Sequence, residues 1–121
     1  MARVAIESNN LHVQLSPFDK VWAIHGSLTI PLKHITLARV EDESAWNHLW
    51  RKVIGTNAPG LKMAGTFYLP GGLAFLDYAD GKSCLVLETQ HETYKTVIVQ
   101  LDRDQDPDAF AAELNRRIGK T

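Results

Sequence analysis

Five histidines and one cysteine are the side chains that would carry metal or nucleophilic chemistry in this chain. His12, His25, His34, His48 and His91 contain no pair at i, i+2 or i, i+4, and none has a cysteine beside it. The close ligand spacing of a zinc site is therefore missing from the sequence. A site made from His12, His25 and His34 would need distant segments to meet across a strand bend, and exposed or rim imidazoles are the simpler reading. Cys84 opens the apolar run Cys84-Leu85-Val86 with only Lys82 near enough to lower its pKa, so it reads as packed and inert. Asp77 and Asp80 are close enough for paired acid–base work, but Asp80 precedes Gly81, where a turn aspartate is expected. No Gly-x-Ser-x-Gly elbow occurs, and the glycines between Gly55 and Gly65 lack the Gly-Lys-Ser/Thr ending of a phosphate loop. No catalytic set or metal site emerges, and no cofactor is expected.

The tryptophans offer binding in place of catalysis. Trp46, Leu49, Trp50 and Val53 fall at i, i+3, i+4 and i+7, which predicts an amphipathic helix over 45–54, capped by Ser44 and stopped by Gly55. Thr56 to Lys62 then reads as the one extended loop, held by Pro59. The preferred expectation is that both indoles plug one end of the fold. The sharper alternative leaves them partly uncovered beside the loop, as a partner surface of Trp46, Trp50, Asn57, Pro59 and Lys62.

Composition bounds the rest. A chain of 121 residues suffices for a single domain over 1–121 with a core that needs no disulfide or metal. Thirteen Lys and Arg against fourteen Asp and Glu give a net charge of -1, so no overall field draws in nucleic acid or an anionic membrane. One cysteine cannot form an internal disulfide, the N-terminus turns polar before a secretory core develops, and no apolar run is long enough to span a bilayer. A cytosolic protein is expected.

Elements follow from periodicity. Val4 and Ile6, then Leu11, Val13 and Leu15, alternate on either side of Asn9-Asn10, a two-residue hairpin turn. Ser16 and Pro17 suit a short helical turn that seats Phe18, Val21 and Trp22 and ends at Gly26. Strand spacing resumes at Leu28 and Ile30, breaks at Pro31, and returns from Ile35 to Val40. Gly65–Leu69, Leu73–Tyr78, Ser83–Glu88 and Lys95–Leu101 read as four successive strands joined by turns at Pro70-Gly71-Gly72, Asp80-Gly81 and Gln90–Thr93. A final helix is predicted over 107–118. Asp106 is its N-cap, Pro107 its first residue, Gly119 its stop, and Phe110, Ala111, Leu114 and Ile118 its buried stripe. The fold class is α+β and mainly β.

Several of these pieces taken in order resemble small bacterial pleckstrin-homology (PH)-like proteins. They are Leu15-Ser16-Pro17-Phe18-Asp19-Lys20-Val21, Ile30-Pro31-Leu32 with Ile35, the tryptophan segment running into Gly55-Thr56-Asn57-Ala58-Pro59-Gly60, and Gly65-Thr66-Phe67. The resemblance implies a bent antiparallel barrel of seven or eight strands, capped by the C-terminal helix, in a family of mostly unassigned function. Phosphoinositide-binding members of the wider superfamily resemble one another in a basic cluster on the first hairpin, whereas Leu11 to Ile30 holds only Lys20. One lysine does not supply the charge-assisted bonds that such a head group needs. A non-enzymatic interaction module is thus expected, binding a protein or peptide partner or itself. A peripheral membrane or lipid head-group binder is the alternative, and an enzyme ranks below both. No nucleic acid and no strong membrane binding are expected.

Overall fold

Ser8 and Asn9 hold φ of 50° and 65°, and these two positive values turn the chain back to begin the first sheet. Two such residues make the hairpin turn whose twist matches paired strands. β1 (Ala2–Glu7) and β2 (Asn10–Leu15) pair from Ala2 with Leu15 to Glu7 with Asn10, and β3 (Leu28–Pro31) pairs with the other side of β2. The turn sits one residue before Asn9-Asn10 because Asn10 is already paired, to Glu7 and to Pro31. Pro31 ends its strand and leads into a 3-10 turn at Leu32–His34, anchored by Leu32 N–H donating to the Asn9 carbonyl at 2.9 Å. The computed structural model describes residues 2–15, 27–46, 51–58 and 62–119. The expected helical turn at 16–20 with its seat at 18–22, and His25, Gly26, His48, Leu49, Trp50, Pro59 and Gly60, lie outside them.

A second sheet contains β4 (Ile35–Glu41), β5 (Arg51–Ala58), β6 (Lys62–Leu69), β7 (Gly72–Tyr78), β8 (Cys84–Thr89) and β9 (Thr96–Val99). Their spatial order is β4-β8-β9-β7-β6-β5, and α1 (Pro107–Ile118) follows. The chain is mainly β with one C-terminal helix, as its periodicity indicates. Three expectations are corrected.

First, nine strands form two sheets among the described residues, and neither closes into a barrel. Second, the last strands are not a simple meander. β9 lies between β7 and β8 and runs parallel to β7. Residues 79–83 therefore cross over the end of β9 instead of making a tight hairpin. Gln100, just past that end and 8% exposed, satisfies the crossing: it accepts from Ala79 N–H at 2.8 Å and donates to Asp80 Oδ1 at 2.6 Å and to the Lys82 carbonyl at 3.1 Å. Third, the described ends of the helix expected over 45–54 are not helical: a 3-10 turn spans Glu43–Ala45, Arg51–Ala58 is a strand, and 47–50 lie outside the described residues. β5 pairs along β6 from Arg51 with Tyr68 to Ala58 with Lys62, with an irregularity around Val53. Ladder pairing and the β-branched Val53, Ile54 and Thr56 outweigh an apolar spacing that suits a helix equally well. The expected loop from Thr56 to Lys62 shrinks accordingly, since Thr56–Ala58 and Lys62 are paired.

The six-stranded sheet carries apolar residues on both faces, which is why β7 and β8 read as nearly continuous apolar runs. Phe75, Leu85, Leu87, Val97 and Val99 join Ala2, Val4, Leu11, Val13 and Ile30 of the first sheet and Ala111 and Leu114 of α1 in one core. Ala74, Leu76, Tyr78, Cys84, Val86 and Ile98 face the other way, with Phe67 and Trp46.

Side-chain amides finish two strand edges. Asn115 accepts from Ala38 N–H at 3.0 Å and donates to the Ala38 carbonyl at 2.7 Å, so α1 takes the place of a neighbouring strand along β4. Gln105 does the same at Val4, with both contacts at 2.9 Å. Ala2 bridges to the chain after β9 through Gln100 and Asp102, and Arg3 reaches Asp104 at 2.8 Å, which ties the first strand to the segment before α1.

Candidate functional groove

The sharp return at Ser8-Asn9, the 3-10 turn, the first residues of β4 and the end of α1 surround an open groove of about 1040 Å³. A volume at the top of the roughly 300–1,000 Å³ typical of ligand sites is too large for a single ion and admits a short segment of chain or an organic molecule. Its apolar lining is Pro31, Leu32, Ile35 and Ile118, of which Leu32 and Ile35 are buried. Asn9, Asn10, Thr36 and Gln90 supply polar groups, and Lys33 and Arg117 the charge.

Each wall is fixed by bonds already formed. Asn9 is held through its carbonyl to Leu32, and Gln90 through its N–H to the His34 carbonyl at 2.8 Å. Thr36 Oγ1 donates to the Glu88 carbonyl at 3.1 Å, across the irregular pairing between Ile35 and Leu37. Behind Gln90, His34 Nδ1 lies 2.5 Å from Glu92 Oε2, and the His34 and His91 rings meet edge-on at 5.8 Å. His91 has a positive φ of 61°, so the loop between β8 and β9 is bent back toward the 3-10 turn.

Among the described lining residues, both charges are positive. Lys33 is exposed on the 3-10 turn and has no ion-pair partner among the described residues. Arg117 is oriented through its Nε, which donates to Glu113 Oε2 at 2.6 Å. Glu113 also accepts from Arg116, and these bonds, from Arg116 first and then Arg117, hold its carboxyl down to about 2. The Glu113–Arg117 pair is legible at i, i+4 in the sequence; the contribution of Arg116 at i+3 is not.

Of the sequence-derived surface residues, Trp46 is placed in the core. Trp46 is 4% exposed, donates its indole N–H to the Tyr78 hydroxyl at 3.3 Å and stacks edge-on with that ring at 5.7 Å. The backbones of Asn57 and Lys62 belong to the β5–β6 pair, paired to Met63 and Ala58. Trp50 and Pro59 fall outside the described residues. Among the remaining candidates, Cys84 and Asp77 are fully buried, and Asp80 organises its turn by accepting from Lys82 N–H at 2.9 Å. That bond first, and the one from Gln100, lower the Asp80 pKa. His12 contacts Thr29 Oγ1 at 3.2 Å, and no group of three potential metal ligands occurs among the described residues.

Lys33, Thr36, Gln90 and Arg117 carry no sequence signature of a site. They are brought together only when Asn9 docks on the 3-10 turn and α1 docks on β4. No family model, curated protein or solved structure matches this chain, so function is argued from the site alone.

Proposed function

We propose that this chain is a non-enzymatic interaction module whose groove between the Ser8-Asn9 turn, the 3-10 turn, β4 and α1 takes a segment of a protein or peptide partner. The observation that carries the proposal is the groove itself: about 1040 Å³, apolar at its base, with polar groups and two cations around it. Binding sites combine an apolar lining with a few placed polar groups in this way. The described lining residues include no histidine, cysteine, aspartate or glutamate to serve as a general base, which favours binding over turnover.

The resemblance to PH-like proteins supports this reading at the level of a mainly β scaffold with a docked C-terminal helix, a type of scaffold reused for recognition. We place its action in the cytosol, with a single buried cysteine as the supporting feature. No helix among the described residues is long and apolar enough to cross a membrane. A lipid head-group role is the weaker reading, because two cations on separate elements do not form the cluster that anionic membranes attract.

The test compares proteins recovered from the native host by wild type, by Gln90→Trp and by Tyr68→Ala. Gln90 is exposed in the groove wall, so a tryptophan there fills the space without disturbing the core, and Tyr68 is exposed on β6 outside the groove. A partner kept by Tyr68→Ala and lost by Gln90→Trp is the expected result. Recovery that is identical for all three would contradict the groove's role.

A further inference from the structure

We infer that the groove selects an acidic peptide segment, with carboxylates engaging Lys33 and Arg117 while apolar side chains settle against Leu32, Ile35 and Ile118. The inference rests on the groove's being the binding site and adds the chemistry of its occupant. Charge complementarity carries it: among the described lining residues both ionised side chains are cations, Lys33 without an ion-pair partner and Arg117 paired with Glu113, although the whole chain has a net charge of -1. The positive site is therefore local, and a partner would feel it only on approaching this face.

Two features favour an extended acidic peptide over a phosphate. Lys33 and Arg117 come from two different elements, the 3-10 turn and α1, so an occupant that meets both spans the groove between them. The buried floor of Leu32 and Ile35 also rewards an occupant with apolar groups between its charges. Arg117 is already oriented by Glu113, which reduces the ordering that binding would otherwise require.

Several of the chain's described carboxylates are engaged internally. Asp102 and Asp104 hold Arg3, Asp106 caps α1, Glu41 pairs with Arg39, and Asp42 accepts from Ser83 N–H. With these carboxylates already occupied, a segment of another protein is favoured as the occupant over a second copy of this one.

Fluorescence anisotropy with labelled peptides of about six residues, the length of an ordinary strand, tests this. One peptide alternates glutamate with leucine, one lysine with leucine, and one serine with leucine. The expected result is preferential binding of the glutamate peptide, weakened about tenfold or more by Lys33→Glu and by Arg117→Gln, the scale of one lost charge-assisted bond. The double variant Lys33→Glu/Arg117→Glu should prefer the lysine peptide, and circular dichroism checks that each variant is folded. Binding of the serine or lysine peptide to wild type, abolished by Gln90→Trp, would keep the groove as the site and overturn its acidic selectivity. Glutamate-peptide binding unchanged by Lys33→Glu and Arg117→Gln would also overturn the proposal. No binding by any of the three would overturn both it and the groove's role as a peptide site.

Discussion

Replacing Asn115 by alanine should loosen the wall that joins α1 to β4 and lower stability by about 1–3 kcal/mol. The side chain makes two hydrogen bonds, to Ala38 N–H and to the Ala38 carbonyl. Each is worth roughly 0.5–1.5 kcal/mol net. Ala38 is only 2% exposed, so groups left without a partner there push the loss toward the upper end. Alanine's better helix propensity returns at most about 0.7 kcal/mol. In a chain of this size the melting temperature should fall by roughly 4 °C for each kcal/mol. Asn115→Asp is the informative control: it can still accept from Ala38 N–H, but it faces the Ala38 carbonyl with a second oxygen and places a negative charge near the helix C-terminus. Urea denaturation of the three proteins side by side is the assay, with aspartate expected to be no better than alanine. If Asn115→Ala unfolds within about 0.5 kcal/mol of wild type, the range of ordinary surface substitutions, the amide is not what closes the β4 edge.

Leu114→Ala, at a fully buried position of α1, should cost about 2–5 kcal/mol by the same assay, and a smaller loss would show that the helix is not integral to the core. Gln100→Leu should destabilise the crossing at 79–83 and speed amide exchange of Ala79, whose N–H loses its acceptor; unchanged exchange there would rule out that role. Stability should also decline in acid. Glu113, held to about 2, and Asp104, lowered first by its hydrogen bond from Arg3, have folded values below their ordinary ones. Their contribution is full above the usual carboxylate range and disappears as pH falls through the folded values, so the urea midpoint should drop between about pH 4.5 and pH 2. Glu113→Gln should flatten that decline, and an equally steep one would assign it to other groups.

Local chemistry made much of the fold legible. Asp106, Pro107 and Gly119 mark α1 because each acts through its own backbone: Asp106 accepts from Asp108 N–H at 3.0 Å, and Gly119 takes a φ of 83°. Strands β6 to β9 are recognisable as short apolar-rich runs bounded by turns such as Pro70-Gly71, where Gly71 holds a φ of 102°. Their neighbours are not. Asp80-Gly81 has hairpin composition, but the position of β9 depends on pairing with β7 across more than twenty residues of chain. Arg51 to Ile54 show the same limit from another side, since a helical spacing that runs into them is overridden by the ladder between β5 and β6. The groove was the least legible feature: Asn9, Lys33, Gln90 and Arg117 are ordinary turn, loop and helix-end residues whose meeting depends on tertiary docking alone.

The central claim is that a partner's acidic segment lies in this groove, and amide-resolved NMR during titration with the glutamate–leucine peptide tests it most directly. The expected result is a saturable set of shift changes concentrated at Asn9, Asn10, Lys33, Thr36 and Gln90, with Arg117 Nε–H among them, and little change at Tyr68 or Asn57. Changes concentrated on the β5–β6 hairpin, or spread without saturation over the whole surface, would contradict it.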